Sequence, residues 1–410
     1  MTPATAPAPA LPRDLRSPIM FLMAINFINI LGFAGWNGLF NNFAKEAAGF
    51  TGYDIGIAQS VREIPGFLAF TAIVWFLLLR EQVFALASLI VLGIGIVMTG
   101  YFPTLWGVLM TTTIMSIGFH YSETVNQSLA LQLFAKKDAP RLLGRVASAG
   151  AAAQLVAYGS MALFWWAGMR DYRILFGMLG CLCVVLAIAA WLWFPRVEGT
   201  VPQRKSIVLR PRYWLYYALT LMSGARRQIF SAFAAFLLVE RFGMKVPEIA
   251  GLLLVTSLLN MLLAPRFGSM ISRIGERRTI MIENLSLIIV FAGYAATDDA
   301  LVAAVLFIID GVFLTLVIAQ RTYFQKIGDA ADMSPTAAVA FTINHIAAVF
   351  IPFGFGLLWL KDPSLVFQAG GLIAAISLVL AFIVPHDPGP GQETIFKENA
   401  GEGALAAKPA

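Results

Sequence analysis

The chain has 410 residues, of which 59% are hydrophobic and 13% are charged, and its mean hydropathy is +0.77. Soluble domains carry about a quarter charged residues. A surface this apolar cannot face water, which excludes a soluble enzyme, a nucleic-acid-binding protein and a disordered protein. The net charge of +6 at pH 7 does not indicate nucleic acid as a partner, because the basic residues lie in short loops between apolar stretches. We expect them to face the surface of a lipid membrane.

Twelve stretches of about 20 predominantly apolar residues predict an all-α integral membrane protein with twelve transmembrane helices. They run over residues 19–43, 55–79, 83–101, 104–134, 146–167, 174–194, 213–239, 247–270, 279–297, 300–322, 336–360 and 364–384. The segment before them lacks the features of a cleaved signal peptide. The segment after them is polar and glycine-rich, which predicts disorder. The predicted divisions are a cytoplasmic tail, a six-helix bundle, a cytoplasmic central loop, a second six-helix bundle and a disordered cytoplasmic tail: 1–18, 19–195, 196–212, 213–384 and 385–410.

The distribution of basic residues predicts the orientation, because Lys and Arg are retained on the cytoplasmic side. The two tails and the even-numbered loops carry about 20 basic residues, whereas the odd-numbered loops carry six. The fourth and sixth loops contribute Lys136, Lys137, Arg141, Arg145, Arg196, Arg204, Lys205, Arg210 and Arg212. Both termini are therefore expected in the cytoplasm, with the protein in a cell inner membrane.

The first two predicted spans carry polar residues at membrane depth. Asn29 and Asn37 fall on overlapping turns of the first span and either line a cavity or join helices. Arg62 and Glu63 lie two to three turns inside the second span, just before Pro65 and Gly66. Neighbours on a helix point about 100° apart, so we expect each of these charges to meet a partner on another helix. They form either a structural ion pair or, through Arg62, part of a binding site.

The fourth predicted span is the most polar, and it places His120, Glu123 and Gln127 on one helix face at i, i+3 and i+7. A buried carboxylate beside a histidine is suited to carrying a coupled proton, with Gln127 available to the substrate. The alternative is a hydrogen-bond network between helices. One His and one Glu supply too few ligands for a metal, so the sequence predicts no metal site and no cofactor. In the eleventh span His345 is interpreted as a helix-joining residue.

The seventh predicted span carries Arg226 and Arg227 near the membrane midplane. Guanidinium groups at that depth need anions, and arginine presents a planar fork suited to carboxylate or phosphate. Either a substrate anion supplies the charge, or Asp310 of the tenth span and a second acid neutralise both arginines as a gate or scaffold. Asp310 is also the second candidate for carrying a coupled proton.

The two halves of the chain show a weak internal repeat. An offset of about 194 residues aligns Asp54 with Glu248 and Gln127 with Gln320 at corresponding places in the two halves. Duplicated six-helix halves around a central cavity are typical of secondary transporters, in which one half rocks against the other.

The loop after the eighth span, residues 268–278, reads GSMISRIGERR. It resembles the signature loop of the major facilitator superfamily, a pattern G-x-x-x-D-R-x-G-x-[RK]-[RK] that recurs after the second and eighth helices. Ser272 stands where the family has an acid, and the loop after the second span has lost the glycines. The resemblance implies a cytoplasmic gating motif at Gly268, Arg273, Gly275, Arg277 and Arg278.

These features predict a secondary active transporter of the major facilitator type for a small organic solute. They favour an anionic solute over a neutral one, and a proton as the coupling ion. We expect a monomer with a small-molecule substrate and membrane lipid as partners, and no nucleic acid. The alternatives are an efflux permease for neutral or amphipathic compounds and a transport-incompetent receptor with this fold. An enzyme is not expected, because the sequence has no metal-ligand cluster, nucleophile elbow or phosphate-binding loop.

Overall fold

The structure is a computed structural model that describes residues 17–71, 79–133, 139–195, 209–329 and 332–396. Its regular elements are helices, and the described residues contain no strand beyond one isolated bridge between Gly389 and Gln392. Most of the N-terminal tail and most of the central loop lie outside the described residues. So do the basic residues Lys136 and Lys137 of the fourth loop and Arg196, Arg204 and Lys205 of the central loop.

The first half begins with α1, which is buried over most of its length because it is apolar around its whole circumference. In α2 the helix ends shortly after Pro65, followed by a 3-10 turn at Ala69–Thr71. The helices of this half are α1 Pro18–Glu46, α2 Gly52–Phe67, α3 Glu81–Thr99, α4 Leu105–Leu133, α5 Ala139–Trp166 and α6 Tyr172–Trp193.

In the second half, two of the predicted spans are interrupted helices. α7 passes through a π-helical segment, Ile229–Ala234, into α8, and α11 passes through a 3-10 segment, Leu314–Val317, into α12. Such segments often mark functional positions within a helix. The helices are α7 Trp214–Gln228, α8 Ala235–Glu240, α9 Val246–Ile274, α10 Glu276–Ala296, α11 Ala300–Phe313, α12 Ile318–Ile327, α13 Met333–Trp359 and α14 Pro363–Ile383.

Each of the twelve predicted spans corresponds to one helix or to consecutive helices within the described residues. Nine of these are long and apolar enough, by length and composition, to cross a membrane. The other three predicted spans fall on α2, on α4 and on α7 with α8. These elements carry most of the charged residues singled out above, whereas Asp310 lies on α11, within one of the nine.

The internal repeat is visible at the starts of α2 and α9. The Asp54 carboxylate accepts a hydrogen bond from the backbone N–H of Thr51 at 2.9 Å, and the Glu248 carboxylate accepts one from Lys245 N–H at 2.7 Å. In both helices an acid in the first turn caps the backbone N–H three residues earlier. The aligned acids thus have the same structural role in the two halves.

The two halves meet most closely where α2 crosses α13. A Cβ on Gly56 would lie 2.3 Å from the carbonyl oxygen of Pro352, and one on Gly356 would lie 3.0 Å from the Cα of Tyr53. Only glycine permits this backbone-to-backbone approach, which is typical of small residues at membrane helix interfaces.

The segment after α14 differs from its predicted disorder as far as residue 396. Glu393 and Thr394 are buried, and the Tyr323 hydroxyl donates a hydrogen bond to the carbonyl oxygen of Glu393. Composition did not reveal this because the segment is ordered by packing on the second half, not by its own periodicity. Residues 397–410 lie outside the described part.

Candidate functional site

A cavity of about 410 Å³ lies between the two halves. Its apolar lining is mainly aromatic and includes Phe33, Phe119, Phe230, Phe307 and Phe341. Its polar lining comes from both halves and comprises Asn37, Asn41, Arg62, Glu63, His120, Glu123, Gln154, Arg227, Gln228, Ser231 and His345. An apolar pocket with a few convergent polar groups is the usual form of a small-molecule site.

Arg62 and Glu63 form a direct ion pair, with Arg62 Nη2 2.5 Å from Glu63 Oε1. The expectation that each would need a partner on another helix was therefore wrong for Arg62, because its long side chain reaches the neighbouring carboxylate. Both residues are buried, and the Arg62 guanidinium lies 5.3 Å from the centre of the Phe33 ring. The second Glu63 oxygen, Oε2, faces His345 of α13 at 3.6 Å.

His120 contacts groups other than the Glu123 that shares its helix face. Its Nδ1 lies 3.0 Å from the carbonyl oxygen of Ser116, one turn earlier. Its ring lies 5.3 Å from the ring of His345, measured between centroids. Glu123 also lines the cavity, but its Oε1 accepts a hydrogen bond from Gln127 at 3.4 Å. Two separate groups therefore lie on this face of α4. Glu123 pairs with Gln127, whereas His120 lies near Glu63 of the first half and His345 of the second half.

One atom each from Glu63, His120 and His345 lies within 4.8 Å of the others, and all three residues are buried. Sequence reasoning singled out two of these residues but interpreted His345 as a helix-joining residue. The signal that could have found it is numerical: the chain has three histidines, and two of them lie in predicted spans.

Arg226 and Arg227 have different environments. Arg226 is fully buried away from the cavity, with its Nη2 3.0 Å from Oε1 of the fully buried Glu283. Arg227 is exposed to the cavity, and its Nη2 donates a hydrogen bond to Asn344 Oδ1 at 2.7 Å. Adjacent helix positions point in different directions, so one arginine enters the bundle interior of the second half and the other enters the cavity.

Asp310 lies outside the cavity lining and is fully buried in the second half. Neither of its carboxylate oxygens accepts a hydrogen bond from the described residues. Its α-helix gives way to the 3-10 segment four residues later. A buried acid without a hydrogen-bond donor is costly when ionised.

The remaining candidates divide between the cavity and the helix interfaces. Asn37 lines the cavity, whereas Asn29 is buried and its Nδ2 donates to the carbonyl oxygen of Phe119 at 3.4 Å. Gln127 lies beyond the lining and contacts Glu123.

The signature-like loop forms the sharp turn between α9 and α10. Gly275 has φ of +83°, a backbone conformation that side chains disfavour, and it separates Ile274 from Glu276. Ser272, in the position of the family's acid, donates to the carbonyl oxygen of Gly268 at 3.1 Å. Arg273, Arg277 and Arg278 surround this turn, and Glu276 of the same loop pairs with Lys326 at 2.9 Å.

Ion pairs join the two halves at one end of the bundle. Lys45 Nζ lies 2.9 Å from Glu240, and Lys245 Nζ lies 3.1 Å from Glu46. Asn42 Nδ2 also donates to the carbonyl oxygen of Met244 at 2.8 Å. At the other end, Arg210 and Arg212 pair with Asp329 and Asp332, all of which belong to the second half.

Comparison with known proteins gives the fold and the family. The family model described as the Major Facilitator Superfamily matches residues 19–352. A crystal structure of the nucleoside transporter NupG superposes with a TM-score of 0.71 at 15% identity, covering 89% of this chain and 98% of that one. A bacterial homologue of the human lysosomal transporter Spinster, in an inward-facing and occupied conformation, has a TM-score of 0.70 at 14% identity over 89% and 95% of the two chains.

A transporter of the POT family in complex with 5-aminolevulinic acid has a TM-score of 0.72 at 11% identity, with 88% of this chain and 94% of that chain covered. No curated protein matches the chain in sequence. At these identities the structural likenesses establish the fold alone, and the family model covers most of the chain. The family model, which covers residues 19–352, shows that the chain belongs to the major facilitator superfamily.

Proposed function

We propose that the protein is a secondary active transporter that moves a small anionic organic solute across a cell inner membrane by alternating access, coupled to protons. The chain would cross the membrane twelve times with both termini in the cytoplasm. The cavity between the two halves supports this proposal, because rocking of one half against the other exposes such a cavity to each side in turn.

The observation that carries the anionic preference is the environment of Arg227. Its guanidinium faces the cavity and contacts a neutral amide, Asn344, and none of the ion pairs in the described residues includes it. Arg62, by contrast, is paired with Glu63. Glu63 and Glu123 line the same cavity but form no direct ion pair with Arg227. A guanidinium in this position at membrane depth is suited to an anion from the substrate.

The ion pairs between the halves support an inward-facing state. They lie at the ends of α1 and α8, which the distribution of basic residues assigns to the external side. The cavity would then be closed to the outside by Lys45, Glu46, Glu240 and Lys245, and would exchange with the cytoplasm.

Glu123 is the first candidate for proton coupling because it lines the cavity, which the substrate and the coupled proton would enter. Asp310 is the second, because it is buried near Arg226 without a hydrogen-bond donor. His120 is a further candidate for proton coupling, because it lies in the cluster with Glu63 and His345.

The test of substrate class is a thermal-shift screen of the purified protein with carboxylates, phosphate esters and neutral solutes of matched size. A bound ligand at 100 times its Kd stabilises the native state by about 2.7 kcal/mol. We expect an anion to raise the melting temperature of the native protein and of Arg266→Gln, an exposed arginine that contacts the backbone carbonyl of Leu262. Arg227→Gln should lose this response and Arg227→Lys should retain part of it.

Stabilisation by neutral or amphipathic compounds, unchanged in Arg227→Gln, would instead favour the efflux-permease alternative, for which the aromatic lining is suited. Absence of flux in proteoliposomes for a ligand that binds would favour a receptor.

The identified anion then allows coupling to be measured in proteoliposomes. Glu123→Gln mimics the protonated acid, so we expect loss of accumulation driven by a proton gradient while exchange of substrate across the membrane continues. Accumulation that survives in Glu123→Gln and disappears in Asp310→Asn would move the coupling site into the second half. Survival in both variants would contradict proton coupling.

A further inference from the structure

We propose that Glu63, His120 and His345 form a binding site for a transition-metal ion of the Zn²⁺ type, and that the anionic substrate completes the metal's coordination. The second part rests on the proposed function; the first stands on the geometry alone. The three potential ligand atoms lie within 4.8 Å of one another, and Glu63 Oε2 lies 3.6 Å from His345 Nε2. Ligand atoms around a tetrahedral zinc are about 3.3 Å apart, given bonds of about 2.0–2.1 Å, so small side-chain rotations would complete the site.

Hydrogen bonds orient both imidazoles for this role. His345 Nδ1 lies 2.8 Å from the carbonyl oxygen of Phe341, and His120 Nδ1 lies 3.0 Å from that of Ser116. A carbonyl oxygen only accepts, which places a proton on His345 Nδ1. The Ser116 hydroxyl also lies 2.9 Å from His120 Nδ1, but it donates to the carbonyl oxygen of Arg62, so the proton lies on His120 Nδ1 as well. This tautomer presents the unprotonated Nε2 of each ring to the cluster. Metal-binding histidines are held in the same way, by a backbone carbonyl on the nitrogen that does not bind the metal.

The carboxylate is oriented by the same kind of contact. Arg62 donates to Glu63 Oε1, which leaves Oε2 directed at the histidines. In this protonation state three electron-pair donors converge without a hydrogen between them, an arrangement that a cation would stabilise. Two histidines and one carboxylate with an open fourth position are the ligand set of several zinc sites.

Gly66 provides the space for the ion. A Cβ at this position would lie 2.5 Å from His345 Nε2 and 2.6 Å from His120 Nε2. Both histidine rings therefore lie against the side of α2 that carries no side chain. Because these distances, and the 2.3 Å to His345 Cδ2, are too short for a methyl group, Gly66→Ala would displace the histidine rings while leaving the three ligand residues unchanged in the sequence.

The charges around the cluster indicate what fills the fourth position. A divalent ion beside Glu63 would be close to Arg62, with Arg227 lining the same cavity, so the site would carry excess positive charge. An organic anion that binds the metal through one oxygen and Arg227 through another would neutralise both. The substrate class that fits is a metal-chelating carboxylate or a related oxyanion.

The site also links the two halves, since Glu63 and His120 belong to the first and His345 to the second. Separation of α13 from α2 would remove one of the three ligands. A metal bound here would therefore be held in the conformation described and released in the alternate one.

The test uses the full-length purified protein, stripped of metal. It is titrated with Co²⁺ alone, because the visible absorption of Co²⁺ reports four-coordinate nitrogen and oxygen ligands. In parallel, it is titrated with Zn²⁺ alone and binding is measured by calorimetry. We expect one ion per chain, with affinity reduced at least 10- to 100-fold in His120→Ala, His345→Ala and Gly66→Ala. His386→Ala, which changes the histidine outside the cavity, and Gly159→Ala, where a Cβ meets nothing within 4 Å, should bind as the native protein does.

Failure of the native protein to bind Co²⁺ or Zn²⁺ would overturn the metal site. An unchanged affinity in His345→Ala would overturn it as well. Far-ultraviolet circular dichroism of each variant separates lost ligands from lost folding, and His345→Gln provides a second ligand-removing variant if His345→Ala does not fold. Repeating the anion screen with and without Zn²⁺ separates the two proposals. Anions that bind equally in both conditions would overturn the chelate while supporting an anionic substrate, and metal binding without any anion response would contradict the proposed substrate class.

Discussion

Adding one methyl group at the crossing of α2 and α13 should shift the conformational equilibrium of the transporter. At Gly56 an alanine Cβ would lie 2.3 Å from the carbonyl oxygen of Pro352, so the helices must separate by about 1.1 Å to reach an ordinary contact of 3.4 Å. The neighbour is backbone and cannot rotate away. Overpacking of this kind costs about 1–3 kcal/mol. Because the crossing joins the two halves, the cost falls on the conformation described and disfavours it by about 5- to 150-fold.

Gly354→Ala is the matched control, because it lies on the same α13 and its Cβ would meet nothing within 4 Å. The assay is the distance between spin labels at Ala47→Cys and Leu360→Cys, two exposed positions at the ion-paired end of the two halves, in a background without the native cysteines. We expect Gly56→Ala to populate longer distances and Gly354→Ala to match the parent protein. Identical distance distributions in both variants, or a loss of melting temperature in Gly56→Ala without any change in distance, would refute the reasoning.

Three further predictions concern stability and topology. Arg226→Gln should cost about 3–5 kcal/mol because it leaves Glu283 buried without its partner, and Arg226→Gln with Glu283→Gln should recover part of the loss in thermal unfolding; additive losses would contradict this. A hydrogen bond from Arg210 lowers the pKa of Asp332 below its ordinary value. The ionised carboxylate therefore stabilises the folded protein at neutral pH, and this stabilisation is lost as the pH falls through the lowered pKa. Melting curves of Asp332→Asn should therefore lie below the native ones at neutral pH and converge with them below about pH 4; a constant gap would exclude this cause. Leu209→Cys and Leu360→Cys should react with an impermeant maleimide from opposite sides of the membrane, and labelling of both from one side would contradict the orientation.

The helical content and the family were accessible from the sequence because the membrane limits the fold so strongly. A backbone in hydrocarbon must satisfy its own hydrogen bonds, so apolar stretches of about 20 residues predict helices directly. The cost of burying charge also singled out residues that line the cavity, although Arg226 and Asp310, chosen by the same reasoning, do not line it. The residues that do are Arg62, Glu63, His120, Glu123 and Arg227.

Which side chains meet was decided by the tertiary structure. Helical periodicity placed His120 beside Glu123, yet His120 instead lies beside Glu63 and His345 because α2 also packs close to α13 at Gly66. Arg226 and Arg227 were indistinguishable in sequence, and only the packing of α10, which brings Glu283 to Arg226, separates the buried arginine from the one in the cavity. Local periodicity determines the direction in which a residue leaves its own helix, whereas its partner depends on how helices distant in sequence pack against one another. The sequence by itself therefore determined the type of fold and the chemistry available, and the packing of the two halves decided how that chemistry is combined.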